Sequence, residues 1–174
     1  MPLHRILFGA MALTLDDVDV QLLAELQADA DRTNVELARV VGLSPAATLH
    51  RVRRLKDSGV VRIVAARLDP DEAGFPLQVY VMVTLGRHDP KGARAFENEV
   101  RATPEIIAAD WVAGETDVML LVVARDVGQL QHVLSRIAAR GGQRIVTILR
   151  LGELKPTSPL PVTATAVARG AARR

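Results

Sequence analysis

The sequence contains no cysteine, few aromatic residues and no large excess of charge of either sign. Aromatic residues make up 3% of its 174 residues, and the formal net charge is +2. The absence of cysteine excludes disulfides, thiolate metal sites and a cysteine nucleophile, and it fits a reducing cytosol. No apolar run approaches the roughly 18 residues of a membrane span. We therefore expect a cytoplasmic protein with an aliphatic core, because hydrophobic residues still make up 49% of the chain.

Residues 1–14 combine basic residues with a short apolar run, as the front of a signal peptide does. The run from Ile6 to Leu13 is short, and the acidic stretch LDDVD follows it directly. We expect residues 1–14 to form a disordered or extended N-terminal extension, and Met11 is a candidate translation start. The remaining length is sufficient for one large or two small domains.

Residues 33–59 predict two short helices joined by a turn. Thr33 and Glu36 have the spacing of a capping box at the start of the first helix. Ser44 is suited to cap the second helix, with Pro45 at its first position, where a missing N–H group costs nothing.

The second predicted helix has an apolar back and a front of small and basic side chains. Leu49, Val52 and Leu55 recur every three residues and share one face. The other side carries Ala46, Ala47, His50, Arg51 and Arg54. Alanine methyls can approach a thymine methyl, and arginine can bridge guanine O6 and N7 in the DNA major groove. An ordinary helical hairpin with a solvated basic face fits the same spacing.

Basic residues are concentrated at this helix in a nearly neutral chain, as the electrostatic footprint of a nucleic-acid-binding surface requires. We expect Arg51, Arg54 and His50 to reach bases or phosphates. The other cations are expected to hold the DNA backbone: Arg53, Lys56 and Arg62. The full predicted DNA interface consists of Ser44, Ala46, Ala47, Thr48, His50, Arg51, Arg53, Arg54, Lys56 and Arg62.

Further elements complete an N-terminal head over residues 15–62. Apolar positions between Leu15 and Leu26 predict a first helix with aspartates in its opening turn, where the helix dipole favours them. After Gly59, the alternation of Val61, Ile63 and Ala65 predicts one strand of a wing. Residues 63–76 are predicted to be a linker strand and loop, ended by a proline- and glycine-containing boundary.

Residues 77–155 predict the order strand, helix, strand, strand, helix, strand, which is the ferredoxin-like arrangement. The strands are expected at residues 77–85, 106–113, 118–124 and 144–151, with Asp89 and Asp126 capping the two helices. Residues 156–174 are rich in Pro, Thr, Ala and Arg and predict a disordered tail. The predicted fold class is therefore α+β, with a winged helix-turn-helix domain followed by a ferredoxin-like βαββαβ domain.

Three stretches resemble the Lrp/AsnC, or feast/famine, family of transcription regulators: LDDVDVQLLAELQ, NVELARVVGLSPAATLHRVRRLKDSGVV and the GETD turn. The resemblance covers about Leu15 to Lys155. It implies a DNA-binding head, hence a nucleoid-associated protein that binds double-stranded DNA. It also implies a C-terminal domain of the RAM type that senses amino acids and drives assembly.

The resemblance implies an effector site at the turn between the second and third strands of the C-terminal domain. The matching residues are Ala113, Gly114, Glu115, Thr116 and Asp117. A glycine turn exposes backbone N–H groups for a ligand carboxylate, and Asp117 is suited to hold an α-ammonium group. From the residues alone, a plain hairpin turn in which Asp117 bonds local amides is the alternative. Trp111 is expected either beside this turn or in a dimer core.

The strands at residues 77–85 and 118–124 are apolar on both faces, whereas two helices can cover only one face of a sheet. An apolar face left open normally finds a partner. We therefore expect an obligate homodimer, and the resemblance implies further assembly to a tetramer or octamer.

Two other functions fit the same framework. Siroheme decarboxylases resemble it in architecture, but their chemistry would need histidine and arginine converging on a cavity. The histidines here form no cluster by spacing: His4, His50, His88 and His132. The sequence has no HExxH motif, P-loop or Ser-His-Asp order. We expect no catalytic residues, no metal and no cofactor. A nucleoid-architectural protein is the second alternative and differs only in DNA specificity.

Overall fold

The computed structural model describes residues 14–86 and 90–164. These residues form two compact units, one from the chain up to Ala66 together with the segment from Lys155, and one from Arg67 to Leu154. Several sequence predictions lie outside the described residues: the extension before Thr14, the Asp89 cap, and the tail after Ala164.

The described part of the N-terminal unit contains three α-helices. They are α1 (Asp17–Ala28), α2 (Asn34–Val41) and α3 (Pro45–Asp57). The predicted capping box is confirmed, because the Thr33 N–H donates to Glu36 Oε2 at 2.7 Å and the Glu36 N–H donates to Thr33 Oγ1 at 3.2 Å. The Ser44 cap is also confirmed, since Ser44 Oγ accepts from the Ala47 N–H at 3.2 Å.

The core of this unit is aliphatic, as the composition predicts. Its buried members come from all three helices and from the residue that precedes the Asp16 cap of α1: Leu15, Leu22, Leu23, Leu37, Val52 and Leu55. Gly42 ends α2 with a φ of 68°, a left-handed conformation that glycine adopts without strain. The three helices therefore fold around one another over a short turn.

The strand predicted after Gly59 is wrong. Residues 60–69 contain no strand within the described chain, and Ile63 is 79% exposed. A strand needs a hydrogen-bonding neighbour, and no second strand of the described N-terminal unit runs beside this segment. The apolar residues do alternate, but within the described chain the segment has no neighbouring strand with which to form hydrogen bonds.

The second unit has the predicted ferredoxin-like topology. Its elements are β1 (Leu77–Leu85), α4 (Pro90–Ala102), β2 (Ile106–Trp111), β3 (Val118–Ala124), α5 (Val127–Ala139) and β4 (Gly142–Leu149). The sheet order is β2-β3-β1-β4, and every neighbouring pair is antiparallel. β1 and β3 have the predicted limits. β2 ends two residues earlier than predicted, and β4 begins and ends two residues earlier.

The two helices cover one face of this sheet. Phe96 from α4 and Val133 and Ile137 from α5 are buried against the inward side chains of β1 and β3. On the opposite face, two cross-strand rows run over all four strands: Asp110–Met119–Met82–Val146 and Ala108–Leu121–Tyr80–Ile148. Tyr80 and Met119 are each 37% exposed and Ile148 is 46% exposed. This open face is largely apolar.

The C-terminal segment is an additional part of the N-terminal unit. The Leu160 N–H donates to Gln27 Oε1 at 2.7 Å, and Gln27 Nε2 donates to the Leu160 carbonyl at 3.2 Å. Val162 packs against the helical core. The predicted disorder is therefore wrong for residues 156–164. The segment lacks periodicity of its own, but contacts with α1 and the core hold it in place.

We expect Val162→Asp to lower the free energy of unfolding of the N-terminal unit by about 1–2 kcal/mol, because it places a charge against an apolar core. Thermal unfolding of the full chain and hydrogen exchange of α1 amides would measure the effect. Thr163→Asp is the matched control, since Thr163 is exposed. Equal effects of the two substitutions would show that Val162 does not anchor the segment.

Candidate DNA interface and effector cleft

One side of α3 is buried and the opposite side is open. The buried stripe consists of Thr48, Val52 and Leu55, which are 0%, 5% and 0% exposed. Thr48 was predicted to contact DNA, and this assignment is wrong because its side chain lies in the core. Leu49 is only half-buried. The buried stripe of α3 therefore begins at Thr48 instead of the predicted Leu49, whereas Val52 and Leu55 are buried as predicted.

The exposed side of α3 retains most of the predicted DNA-contacting residues. Ala46, His50 and Arg53 follow one another at helical spacing, directly opposite the buried stripe. The other exposed members are Ser44, Ala47, Lys56 and Arg62. Within the described residues, the structure records ion pairs for Arg51 and Arg54 but none for Arg53, Lys56 or Arg62.

Arg51 and Arg54 are directed back to α1 instead of outwards. Arg51 Nη1 donates to Asp16 Oδ2 at 2.7 Å and to Asp19 Oδ1 at 2.9 Å. Arg54 Nη2 donates to Asp19 Oδ2, and the Asp19 side chain is only 1% exposed. The sequence prediction that both arginines reach DNA is therefore not matched by their positions in this structure.

Asp19 was not predicted as a partner of these arginines, although the chain carries a signal for it. Leu15, Asp19 and Leu22 recur at helical spacing, so the carboxylate falls on the buried stripe of α1. A buried carboxylate requires hydrogen-bond donors. That requirement points to nearby arginines, but it does not say which ones.

The ion pairs stabilise the charged forms of the groups that form them. The Asp19 backbone N–H, followed by the Arg51 guanidinium, lowers the pKa of the Asp16 carboxyl below its ordinary value. Hydrogen bonds to Asp16 and Asp19 raise the pKa of Arg51. Both pKa shifts favour the charged forms of Asp16 and Arg51 at neutral pH.

A cleft lies at the end of the sheet where the turn between β2 and β3 meets the start of β4. Its apolar lining comes from Leu85, Ala93, Trp111 and Ala138. Trp111 pairs with Val118, which places the indole on the helix-covered side of the sheet, beside the turn. Of the two positions predicted for Trp111, the one beside the turn agrees with the structure, whereas the favoured one in a dimer core does not, because the indole is not on the open face.

The predicted effector residues divide into two groups. Gly114, Glu115 and Asp117 line the cleft, whereas Ala113 and Thr116 are not among its lining residues. The Thr116 hydroxyl donates to the Val83 carbonyl at 3.0 Å and so holds the turn against β1. Asp117 Oδ2 accepts from the Leu85 N–H at 2.8 Å, which is the local bonding that the plain hairpin alternative predicts. The same carboxylate also faces the cleft.

The chemistry of the cleft suits a small ligand that has an ammonium group and an apolar part. Glu115 and Asp117 supply two carboxylates and Gln143 an amide, while the lining residues that the structure describes include no basic side chain. Glycines at the turn and before β4 leave backbone groups accessible. A zwitterionic ligand finds acceptors for its ammonium group and N–H donors for its carboxylate.

Three further observations concern the histidines, metal ligands and membrane-spanning helices of the described residues. His50 lies on the surface of α3 and His132 on the surface of α5, in different units, and His4 and His88 lie outside the described residues. Within the described chain, no group of three or more acidic or histidine residues is arranged to hold a metal ion. No helix in the same residues is long and apolar enough to span a membrane.

Comparison with known proteins matches both units. The family described as winged helix-turn-helix DNA-binding matches residues 15–62, and the Lrp/AsnC ligand binding domain matches residues 78–160. The leucine-responsive regulatory protein of Rhizobium meliloti is 38% identical over 143 residues, which cover 81% of this chain and 92% of the relative. The transcriptional regulator AldR of Mycolicibacterium smegmatis is 36% identical over 120 residues, which cover 69% of this chain and 70% of the relative.

Solved structures match over the same extent. A transcriptional regulator of Neisseria meningitidis in complex with L-Met has a TM-score of 0.79 and 34% identity, covering 85% of this chain and 97% of that one. The Mycobacterium tuberculosis leucine response regulatory protein has a TM-score of 0.73 and 33% identity, covering 82% and 96%.

Together, the fold, the helical head and the ligand-binding domain define a DNA-binding transcriptional regulator. These relatives are named as regulators, so the decarboxylase alternative is not supported. The chain belongs to the Lrp/AsnC family of transcription regulators.

Proposed function

We propose that this regulator acts as a homodimer that reads a specific DNA site through the exposed side of α3 and responds to a neutral amino acid bound in the cleft. The observation that carries the proposal is the stripe of Ala46, His50 and Arg53 directly opposite the buried stripe of α3. A protein that works on chromosomal DNA also has its place in the cytoplasm, at the nucleoid.

The two halves of α3 offer different contacts. Near its start, Ser44, Ala46 and Ala47 are small, so the helix can lie close to the base edges in the major groove. His50 is the first long polar side chain on the exposed stripe, and its imidazole can donate to or accept from a base. Beyond it come the exposed cations Arg53, Lys56 and Arg62, which suit phosphates.

We expect His50→Ala to relax base preference at one position of each half-site, at a cost of ~1–3 kcal/mol. Arg53→Gln should instead weaken binding to all sequences alike, because it removes a phosphate contact. Binding to a duplex selected by the wild-type protein from a random pool, and to its single-base-pair variants, measures both effects. Unchanged binding by both variants would place the DNA-reading face elsewhere.

The cleft can hold both charged groups of an amino acid. Asp117 keeps one oxygen on the Leu85 N–H and offers the other to an α-ammonium group. The backbone N–H groups around Gly114 and the Gln143 amide suit the α-carboxylate. The side chain of the ligand would lie against Leu85, Trp111 and Ala138. The relative from Neisseria meningitidis, solved in complex with L-Met, supports an apolar amino acid as the ligand.

Asp117→Asn tests this site, because asparagine keeps an acceptor for the Leu85 N–H and removes only the charge. We expect affinity for the effector to fall about ten- to a hundredfold, as loss of a charge-assisted hydrogen bond implies. Trp111 is the only tryptophan, so its fluorescence reports titration with L-methionine and the other amino acids.

Asp71→Asn is the matched control, since Asp71 is an exposed carboxylate of the same unit that does not line the cleft. It should leave affinity unchanged, and Trp111→Phe should abolish the fluorescence change. If an amino acid binds by calorimetry without altering Trp111 emission, or binds Asp117→Asn as tightly as wild type, the ligand lies outside this cleft.

The open face of the sheet supports the dimer. Tyr80, Met119 and Ile148 lie close together on it, in adjacent cross-strand rows, and all three are substantially exposed. A second copy presenting the same face would bury both sets of side chains, which is the self-complementary contact of a two-fold dimer. Two heads held in this way suit a DNA site with two half-sites.

Met119→Lys should dissociate this dimer at micromolar concentration, because an ammonium group buried between two apolar faces has no partner. Sedimentation velocity would measure the change in mass. Val127→Lys is the control: Val127 is 60% exposed on α5 and remote from the open face in the sheet topology. A Met119→Lys protein that remains dimeric would show that this face is not the interface.

A further inference from the structure

Arg51 and Arg54 differ from the other cations of α3 in what they contact. We propose that Asp19 is a positioning residue for DNA recognition: it holds α3 at a fixed orientation through Arg51 and Arg54, and both arginines stay off the DNA. The inference rests on the proposed DNA-reading face, since it concerns the orientation of that face.

The Asp19 carboxylate is the centre of the cluster. It is buried, and its two oxygens accept from Arg51 Nη1 at 2.9 Å, from Arg54 Nη2, and from the Asp16 backbone N–H at 3.1 Å. A buried charge is tolerated only when it is paired and hydrogen-bonded, so these donors are required once the carboxylate is in the core. The cluster is therefore one unit, and loss of Asp19 leaves Arg54 without a partner in the described chain.

The geometry of the cluster restrains the rotation of α3. Arg51 and Arg54 lie one turn apart on α3, and Asp16 and Asp19 lie one turn apart at the start of α1. The apolar side chains behind α3 are non-directional contacts that tolerate sliding. Ion pairs to fixed carboxylates have a set direction and length. Together with the buried stripe of Thr48, Val52 and Leu55, the pairs therefore set which side chains of α3 face outwards.

Arg51 and Arg54 are poorly placed to contact DNA, because both pair with Asp19. Arg51 Nη1 is shared between two carboxylates. Arg54 Nε is buried and has no hydrogen-bond partner among the described residues, so the Nε edge of this guanidinium is closed to a base, and Nη2 at its other end is paired with Asp19. Reaching DNA would require each arginine to leave Asp19 with a buried, underpaired charge. Arg53, between them on the exposed stripe, carries no such restraint.

Salt dependence separates the two kinds of arginine. Each phosphate contact contributes about −0.9 to the slope of log K against log salt, so a contact made by both copies of a dimer contributes about −1.8. The experiment compares full-length wild type, Arg51→Gln, Arg54→Gln and the matched control Arg53→Gln. The probes are a duplex selected by the wild-type protein from a random pool and a scrambled duplex of equal length.

We expect Arg51→Gln and Arg54→Gln to bind the scrambled duplex with wild-type affinity and slope. Their preference for the selected duplex should fall about tenfold, because α3 is no longer held in one orientation. The loss should be distributed over several base pairs. Arg53→Gln should weaken both duplexes and flatten the slope. If Arg51→Gln or Arg54→Gln flattens the slope as Arg53→Gln does, or relaxes a single base pair only, that arginine touches DNA and the proposal is overturned.

Asp19→Asn provides the second test, since it keeps every cation and removes only the negative charge that pairs with Arg51 and Arg54. The folded protein should lose preference for the selected duplex without losing affinity for scrambled DNA. A lowered melting temperature with full preference retained would mean that Asp19 is structural only, which contradicts the proposal. Should Asp19→Asn not fold, the two glutamine variants decide, because each leaves Asp19 one arginine.

The outcomes also distinguish this inference from the proposed reading face. Arg53→Gln without effect on either duplex would show that the face itself is wrong. Arg53→Gln acting as expected, with Arg51→Gln acting in the same way, would leave the face correct and remove only the positioning role of Asp19.

Discussion

A four-stranded sheet has two faces, and in this chain two helices cover only one of them. β1 and β3 are the central strands, and their inward valines meet Phe96 and Ile137. Their outward side chains, including Tyr80 and Met119, have no covering element among the described residues. Solvation of such a face is unfavourable at roughly 25 cal/mol for each Å² of apolar surface. In the proposed dimer this imbalance provides the association energy, and it leaves the helix-covered side and its cleft free for a ligand.

In the N-terminal unit, buried charge and exposed charge have separate roles. The buried Asp19 pairs with Arg51 and Arg54 between α1 and α3, and the more exposed Asp16 also pairs with Arg51. Arg53 points away from that contact, although it is adjacent to Arg54 in the sequence. One helix therefore carries arginines that hold its orientation and arginines that face the solvent. A count of basic residues cannot separate the two kinds, because the separation depends on which side of α3 faces α1.

Local signals in the sequence predicted most of the fold. The Thr33–Glu36 capping box, the Ser44 cap and the limits of β1 and β3 depend on residues that are close in the chain. The misses depend on distant partners: Asp19 precedes Arg51 and Arg54 by 32 and 35 residues, and Gln27 precedes Leu160 by 133. At the cleft, the family resemblance supplied the GETD turn. Only the tertiary structure showed that Asp117 faces the cleft while Thr116 bonds the neighbouring strand.

The pairing of Arg51 and Arg54 with aspartates also limits how strongly one head can hold DNA. Three exposed cations remain in the predicted interface, namely Arg53, Lys56 and Arg62. Non-specific affinity rises with the number of phosphates neutralised, so three contacts give weak binding at physiological salt. Two heads on one duplex double the contacts and add the effective concentration of a tethered pair. In the proposed dimer, recognition therefore depends on the open apolar face of the sheet, because contact through that face brings two weakly binding heads to one DNA site.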